Sequence, residues 1–379
     1  MNIRQYQRCS NCVMDTTDSL ITFDHEGICD HCADYFKNVK PRWHPDKESE
    51  NELRKLAGRI KTAGRGKDFD CIIGMSGGVD SSYLVYLAKE KLRLNPLVFH
   101  VDAGWNSQQA VNNIEKIVDK LQLDLFTEVI NWEEMRDLQL SYIKSGVPQI
   151  DSPQDNAFFA TMYKFASENN VKYILTGGNL ATECVQVPLE WMWYQTDYTL
   201  LDDIHSRFGS IELKQFPRTS ILRHKIYLPY VKGVKVIRPL DYVNYVKDEV
   251  IQFLIKEFEW QPYPRKHFES RFTKFYESYW LFEKFGFDTR KVYLSNLILS
   301  GQLSRDKALM ELEELPYDEE NIKHDFSYVA KKLGISDKEL RTYFEAPNKS
   351  YKDYKSQELL YRVGARAMKL AGLTWSIRR

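Results

Sequence analysis

The chain has 379 residues, of which 43% are hydrophobic, and its 53 basic side chains balance 53 acidic ones. This length is typical of two or three domains, and a formal net charge of zero argues against a general nucleic-acid binder. No apolar run is long enough to cross a membrane. Met1–Arg8 lack the apolar core of a secretory signal, so we expect a cytoplasmic protein without a membrane partner.

Residues 1–45 contain two Cys-x₂-Cys pairs, which are Cys9, Cys12, Cys29 and Cys32. Each pair brings two thiolates to one side of a tight turn, and four thiolates suit a tetrahedral Zn²⁺ ion. Such a short segment has little core of its own, so the metal would contribute folding free energy. We predict a structural zinc site, with a redox pair or an iron–sulfur cluster as alternatives.

Residues 46–67 predict a charged helix that ends in a linker, and residues 68–245 alternate between apolar strands and helices. The predicted strands are 69–75, 97–101, 124–130, 173–176 and 234–237, and the predicted helices are 81–94, 108–121 and 154–169. Apolar strands separated by helices predict an α/β fold, a parallel sheet with helices on both faces. Ligands of such sheets bind at the carboxyl ends of the strands. Residues 246–379 predict a helical C-terminal domain with turns at glycines and prolines.

The turn after the first strand is typical of a phosphate-binding loop, and reads Gly74-Met75-Ser76-Gly77-Gly78-Val79-Asp80-Ser81-Ser82. Gly77 and Gly78 let the backbone approach an anion, and the amides at the start of the following helix would face it. The hydroxyls of three serines would add donors: Ser76, Ser81 and Ser82. Asp80 would either meet a bridging Mg²⁺ or cap the helix. The Gly-Lys-Ser/Thr ending of a Walker A loop is missing.

The string Ser76–Ser82 resembles the PP-loop of ATP pyrophosphatases. This resemblance implies that ATP is cleaved between its α and β phosphates, that the loop from Met75 holds the phosphates, and that Ser76, Asp80 and Ser81 are catalytic. It also implies that the end of the second strand, at Val101 and Asp102, lies beside the adenosine. Residues 175–183 are similar to the second glycine-containing loop of this superfamily, although an ordinary turn is the alternative. Three of its residues would contact the nucleotide: Gly177, Gly178 and Asn179.

Three stretches are candidates for contact with an acceptor substrate. Residues 152–156, with Asp155 and Asn156, begin a helix and would either face the acceptor or merely cap the helix. The aromatic run 191–198, with Trp193, suits a sugar or uracil ring, although packing of an insertion explains it as well. Two prolines exclude a continuous helix over 260–271. Its cations suit a diphosphate or a carboxylate, or else lie on a solvated turn; they are Arg265, Lys266 and Arg271.

Taken together, these motifs resemble the N-acetyl sugar amidotransferase family of surface-polysaccharide (LPS O-antigen) biosynthesis over nearly the whole chain. The resemblance is carried by both cysteine motifs, Phe-Asp at 23–24, the phosphate loop, Thr-Gly-Gly-Asn at 176–179, and residues 266–273 and 300–308. It implies that an acetamido group of a nucleotide-linked sugar, a UDP-linked diacetamido uronic acid, becomes an acetamidino group with release of AMP and pyrophosphate. The implied cofactors are ATP, Mg²⁺ and Zn²⁺. The implied ammonia source is a partner resembling the glutaminase and cyclase subunits of histidine biosynthesis.

Two rival functions fit parts of the sequence. Thiolation of tRNA uses the same adenylation chemistry, but it would need a basic surface and a sulfur-carrying cysteine such as Cys184. The balanced charge disfavours this reading. A non-catalytic zinc adaptor that merely binds nucleotide is the second rival, and formation of AMP and pyrophosphate would exclude it.

Overall fold

The computed structural model describes residues 5–370, and it contains a parallel sheet of five strands. The strands are β1 (Cys71–Gly74), β2 (Pro96–Asp102), β3 (Leu125–Val129), β4 (Tyr173–Leu175) and β5 (Lys235–Ile237). Their order across the sheet is β3-β2-β1-β4-β5, and every neighbouring pair is parallel. The sheet confirms the predicted fold class, and each strand overlaps one of the predicted strands.

The helices surround this sheet and continue beyond it. In chain order they are α1 (Asp30–Asp34), α2 (Lys47–Gly64), α3 (Val79–Tyr86), α4 (Gln108–Leu121), α5 (Trp132–Ser145), α6 (Ser152–Glu168), α7 (Leu180–Glu183), α8 (Tyr198–Phe208), α9 (Lys247–Phe258), α10 (Arg271–Phe275), α11 (Arg290–Leu299), α12 (Arg305–Glu313), α13 (Asn321–Leu333), α14 (Asp337–Glu345) and α15 (Glu358–Leu370). π-helical turns continue α1, α3 and α10 over Tyr35–Val39, Leu87–Lys91 and Tyr276–Phe285. A further π-helical segment, Arg223–Val231, lies between α8 and β5. The C-terminal region is helical as predicted, and its residues 371–379 lie outside the described part.

Side chains of each strand point alternately to two cores, one on each face of the sheet. Ile72 and Ile174 lie in one core with apolar side chains of α5 and α6. Ile73 and Leu175 lie in the other core with side chains of α2, α3, α4 and α9. Helices therefore cover both faces, as predicted. The predicted linker helix is α2, which contributes its apolar face to the second core.

The four-cysteine segment packs against the C-terminal helices. The backbone N–H of Val13 donates to the Ser295 hydroxyl of α11 at 3.2 Å. The guanidinium of Arg305, on α12, donates to the carbonyl oxygens of Cys12 at 3.1 Å and Cys9 at 2.9 Å. The buried core around the four cysteines also contains Cys184, which directly follows α7. The four-cysteine segment therefore packs beside α7, α11 and α12.

Within residues 5–370, no helix combines the length and the hydrophobicity that a membrane span needs.

Candidate active site

A cavity of about 620 Å³ opens at the carboxyl ends of β1 and β2. Its walls come from the predicted phosphate loop, the end of β2, the start of α6, the end of α7 and residues 266–277. This is the position at which parallel α/β sheets bind ligands. The volume lies within the range of small-molecule sites.

The predicted phosphate loop is held in one conformation by close contacts. Gly77 has a φ of +85°, and a Cβ there would lie 2.8 Å from the carbonyl oxygen of Ala110, so only glycine fits. The Ser81 hydroxyl lies 3.4 Å from both the backbone nitrogen and the hydroxyl of Ser76. The indole N–H of Trp260 donates to the Gly77 carbonyl oxygen at 3.1 Å. Of this loop, Gly74, Met75 and Ser76 line the cavity, whereas the side chain of Ser82 is fully buried.

A carboxylate lies against this loop. The Ser76 hydroxyl donates to Oε1 of Glu269 at 3.0 Å. A Cβ on Gly78 would lie 2.8 Å from the same oxygen. The loop therefore accommodates an anionic oxygen beside Ser76 and Gly78, which is the chemistry expected of a phosphate site.

Asp80 joins the phosphate loop to the rest of the site. The N-cap of α3 is Gly78 and no side chain caps it, so the structure does not support the capping alternative for Asp80. The hydroxyl of Tyr245 donates to Oδ1 of Asp80. The ammonium of Lys266 lies 3.6 Å from Oδ2 of Asp80 and 2.7 Å from Oε1 of Glu183.

These charges alter one another's titration. Burial alone would lower the pKa of Lys266, but the carboxylates of Glu183 and Asp80 outweigh burial and raise it. Burial likewise opposes the charge on Glu183, but the Lys266 ammonium lowers the pKa of that carboxyl. The pair is therefore charged at neutral pH.

The second glycine loop packs on the first. A Cβ on Gly177 would lie 2.9 Å from the backbone of both Asp80 and Ser81, which explains the need for glycine. The buried side chain of Asn179 caps α7 by accepting from Thr182 N–H at 3.0 Å. Its amide nitrogen donates to Gly177 O at 3.1 Å and lies 3.4 Å from Asp80 Oδ1. Asn179 thus links the two loops and is absent from the cavity lining.

A second group of polar side chains lines the cavity beyond the phosphate loop. Nδ1 of His267 lies 2.8 Å from Oε1 of Glu277, and the Tyr293 hydroxyl donates to the same oxygen at 2.9 Å. Burial would lower the pKa of His267, but the Glu277 carboxylate outweighs it and raises the pKa to about 9. His267 also has a φ of +65°, an uncommon conformation for a residue other than glycine. The imidazole is therefore a cation at neutral pH, held in a strained backbone.

Asp155 and Lys266 are the two predicted acceptor residues that line the cavity. Asn156 does not line it, because its buried amide donates to the carbonyl oxygen of Gln195 at 2.7 Å and accepts from Thr219 N–H at 3.2 Å. Asn156 therefore holds two backbone segments together and is not in a position to contact the acceptor.

Three other predicted acceptor residues have partners elsewhere in the protein. Trp193 is buried; its ring stacks on Tyr351 with centroids 3.6 Å apart, so it offers no face to a sugar or uracil ring. Arg265 donates to the carbonyl oxygens of Leu315 and Pro316. The guanidinium of Arg271 lies 3.5 Å from the Tyr328 ring centroid and pairs with Asp325 at 3.3 Å. The structure therefore does not support diphosphate recognition by these two arginines.

Of the two predicted nucleotide-binding residues at the end of β2, one lines the cavity and the other does not. Val101 lines the cavity, and so does the neighbouring His100. Asp102 accepts from Gly104 N–H at 2.7 Å and from the Asn106 amide at 3.1 Å. Asp102 thus shapes the turn after β2, and Val101 is the residue in position to contact a ligand.

The four cysteine sulfurs form one buried cluster. All four lie within 4.8 Å of one another. The Sγ–Sγ distances are 3.8 Å for Cys9–Cys32 and 3.6 Å for both Cys12–Cys29 and Cys29–Cys32. Four thiolates about 2.3 Å from one tetrahedral Zn²⁺ ion would be separated by about 3.8 Å. The donor set and its spacing fit such an ion.

Several residues of the cavity were not predicted from the sequence. The predicted stretch 260–271 contains His267 and Glu269, but only its Arg and Lys residues were selected. Glu277 follows that stretch. Gln149 and Asp151 precede the helix start that was selected at Ser152. Arg238 directly follows β5, where its side chain donates to Gly178 O at 3.1 Å. The rule that ligands bind at the carboxyl ends of strands would have found Arg238, because β5 is a predicted strand.

Comparison with known proteins finds that the C-terminal region is similar to a described family. Residues 269–368 match the model of the C-terminal domain of WbpG-like LPS biosynthesis proteins. This match confirms the resemblance to the surface-polysaccharide family over that region. The chain is also 24% identical over 318 residues to a Methanocaldococcus jannaschii protein described as uncharacterised, covering 81% of this chain and 93% of that protein. A tRNA-specific 2-thiouridylase of Fusobacterium nucleatum is 28% identical over 197 residues, 49% of this chain and 50% of that protein.

Solved structures of low overall similarity complete the comparison. An NMN synthetase from Francisella tularensis aligns with a TM-score of 0.37 and 16% identity, covering 76% of this chain and 97% of that one. An NH₃-dependent NAD synthetase from Campylobacter jejuni aligns with a TM-score of 0.32 and 13% identity, covering 79% and 98%. The family match over residues 269–368 is therefore the comparison on which a function is best based.

Proposed function

We propose that this chain is an ATP-dependent enzyme of LPS biosynthesis that converts an acetamido group of a nucleotide-linked sugar into an acetamidino group. The acceptor we propose is a UDP-linked diacetamido uronic acid. The observation that carries the proposal is the phosphate loop, whose Met75 and Ser76 line a cavity of about 620 Å³ and whose Ser76 hydroxyl donates to a carboxylate oxygen. The WbpG-like match over residues 269–368 supports the pathway.

The chemistry follows from the poor leaving ability of an amide oxygen. In the first step the acetamido oxygen attacks the α-phosphorus of ATP, and the bond from that phosphorus to pyrophosphate breaks. In the second step ammonia attacks the activated carbon, loses a proton and expels AMP. Alignment of the α-phosphorus with the amide oxygen supplies much of the rate. Loop amides near Gly77 and Gly78 would stabilise the charge on the departing pyrophosphate.

Lys266 supplies positive charge on this side of the cavity, and Asp80 and Glu183 hold its ammonium in position. Mg²⁺ bound with ATP would supply further charge stabilisation. The four-cysteine cluster would hold Zn²⁺ with a structural role, because it lies in the core that joins the N-terminal segment to α11. We further propose that a glutaminase- and cyclase-like partner supplies the ammonia.

The test is incubation of the full chain with ATP, Mg²⁺, an ammonium salt and candidate UDP-linked N-acetyl sugars, followed by mass spectrometry. We expect a sugar product lighter by the difference between O and NH, with one AMP and one pyrophosphate for each product. Omission of the ammonium salt should remove the product. AMP release without any modified sugar across the candidate sugars would contradict the proposal.

Thiolation of tRNA is the second candidate, and the 28% identity to a 2-thiouridylase over half of the chain favours it. The position of Cys184 argues against it. This thiol is buried, is absent from the cavity lining, and burial raises its pKa to about 12. Cys184→Ser should leave amidine formation largely intact, whereas complete loss of activity would favour a sulfur-carrying role.

A further inference from the structure

The turn that leads into α6 contributes a set of buried polar side chains to the cavity. The members are Gln149, Asp151, Ser152, Gln154 and Asp155. Gln149 is 2% exposed and Asp151 is 7% exposed. The nucleotide binding described above uses neither Gln149 nor Asp151. Both side chains are therefore available to bind the acceptor sugar.

Gln149 carries a hydrogen-bond donor that the protein does not satisfy. Its amide nitrogen is buried and has no acceptor among residues 5–370. Buried polar groups are nearly always paired, because an unpaired buried donor loses its hydrogen bonds to water without replacement. Because the nitrogen and oxygen of a glutamine amide exchange places by a half-turn of the terminal group, this side chain can turn its donor toward an acceptor that a ligand brings into the cavity.

Asp151 offers the complementary group two residues later. The Thr273 hydroxyl donates to Oδ2 at 2.7 Å, and the Gln154 amide donates to Oδ1. Each carboxylate oxygen can accept two hydrogen bonds, so both oxygens retain accepting capacity. Burial raises the pKa of Asp151 to about 6, which leaves the carboxylate mainly ionised at neutral pH. Asp151 is therefore an acceptor for an N–H group.

Apolar side chains of the same helix lie in the same cavity. Phe158, Phe159 and Met162 follow on α6, and all three contribute to the lining. A secondary acetamide presents one carbonyl acceptor, one N–H donor and one methyl group. The donor of Gln149, the acceptor of Asp151 and this apolar surface match those three features one for one.

We propose that Gln149 and Asp151 form the subsite that recognises the acetamido group of the acceptor, with the Gln149 amide donating to the carbonyl oxygen and Asp151 accepting the N–H. The side chains of Phe158, Phe159 and Met162 receive the methyl group. This inference rests on the proposed function and names the residues that select its substrate. A sugar with a free amine in place of the acetamide leaves Gln149 unpaired and is disfavoured, because sites built for a hydrogen bond reject analogues that lack it.

The probes are UDP-N-acetylglucosamine and UDP-glucosamine, titrated into the full chain by calorimetry. We expect UDP-N-acetylglucosamine to bind at least about tenfold more tightly than UDP-glucosamine, because the latter lacks the carbonyl oxygen that accepts the hydrogen bond from Gln149. Gln149→Leu removes the donor at similar volume and should bring the ratio of affinities close to one. Asp151→Asn should weaken binding of the N-acetylated probe.

Gln186→Leu is the matched control, because Gln186 lines the same cavity outside the α6 turn. Gln186→Leu should keep the preference for UDP-N-acetylglucosamine over UDP-glucosamine. Measurements of ATP binding and of the melting temperature should show that all variants are folded. Equal affinity of the unsubstituted protein for both probes, or no measurable binding of the N-acetylated one, overturns the subsite. A lost preference in Gln149→Leu without any amidine product supports the subsite and contradicts the proposed reaction. Product formation with an unchanged preference overturns the subsite alone.

Discussion

At the scale of single residues, the site depends on charged side chains that hold one another in place. Lys266 was predicted to suit a diphosphate or a carboxylate of the acceptor, or to lie on a solvated turn, and its ammonium contacts the carboxylates of Asp80 and Glu183. The sequence identified the right cation but not its partners, because Glu183 and Lys266 are 83 residues apart. Removal of one member of such a buried pair typically costs about 3–5 kcal/mol, since the remaining charge is left uncompensated.

Substitution of Ser76 tests the phosphate loop. Ser76→Ala removes a hydroxyl that contacts Ser81 and Glu269 at the loop. We expect turnover to fall about 10²- to 10³-fold, as for loss of one donor to transition-state charge, with little change in melting temperature. Ser49→Ala, on the exposed first turn of α2, is the control for a serine outside the cavity. A rate close to normal in Ser76→Ala would remove this hydroxyl from the mechanism.

The pair of His267 and Glu277 predicts a stability that declines with rising pH. The pKa of His267 is raised from 6.5 to about 9, so the folded chain holds this proton more tightly than the unfolded chain. The stabilisation is complete below about pH 6.5 and is lost as pH rises through about 9. Urea unfolding between these values should show the decline, and Glu277→Gln should flatten it. His25→Gln, at an exposed histidine, should leave the decline unchanged; an equal decline in Glu277→Gln would contradict this account.

At the scale of elements, the strands were predictable and several helices, among them α5, were not. Each strand is a short apolar run bounded by turn residues, so its position is a local property. Helix α5 was missed although Asn131 caps its start and Gly146 follows its end. Its apolar pattern is interrupted by Glu134 and Asp137, which are buried because they accept backbone N–H groups from residues 210–216. Contacts made so far along the chain are not visible in a local pattern.

The same limit explains why two predicted acceptor residues lie outside the cavity lining. Trp193 and Arg271 were chosen for the chemistry of their side chains, which suits a ligand. Their partners in the structure, Tyr351 and Tyr328, come from helical segments far along the chain. Asp155, selected at a predicted helix start, does line the cavity, although α5 separates it from the end of β3.

The contact between the four-cysteine segment and α11 predicts that metal loss will reach the cavity. Cys9→Ser should abolish bound zinc and lower the melting temperature, because four thiolates are needed for the closed site. It should also weaken acceptor binding, since α11 carries Tyr293 in the cavity wall and Ser295 against Val13. Metal content, measured by atomic emission, decides the first part. Cys71→Ala, in β1, should destabilise the core with full zinc content; unchanged zinc in Cys9→Ser would refute the site.

At the scale of the whole molecule, a chain of zero net charge has an excess of acid in its cavity. Among the described residues that line it, five are acidic: Asp151, Asp155, Glu183, Glu269 and Glu277. Two are strongly basic, Arg238 and Lys266, and two are histidines, His100 and His267. The cavity walls come from the sheet, the segment between β4 and β5, and the C-terminal region. The excess of acidic side chains in the cavity therefore arises only in the complete fold.

The acidic excess predicts that nucleotide binding depends on Mg²⁺. We expect ATP to bind at least about tenfold more weakly in EDTA, because unscreened carboxylates repel its phosphates. Glu269→Gln should recover part of that loss, since Glu269 lies against Ser76 in the phosphate loop. Glu257→Gln, on α9 and outside the cavity lining, should not recover it. Equal ATP affinity with and without Mg²⁺ would contradict this electrostatic account.

The hydrogen bonds from Arg305 to Cys9 and Cys12 have a consequence for biogenesis. Arg305 lies 293 residues after Cys12. At a synthesis rate of about 5–20 residues per second, the cysteines leave the ribosome roughly 15 to 60 s before their docking helix. During translation the four thiols therefore exist well before the tertiary partner that covers the backbone of Cys9 and Cys12.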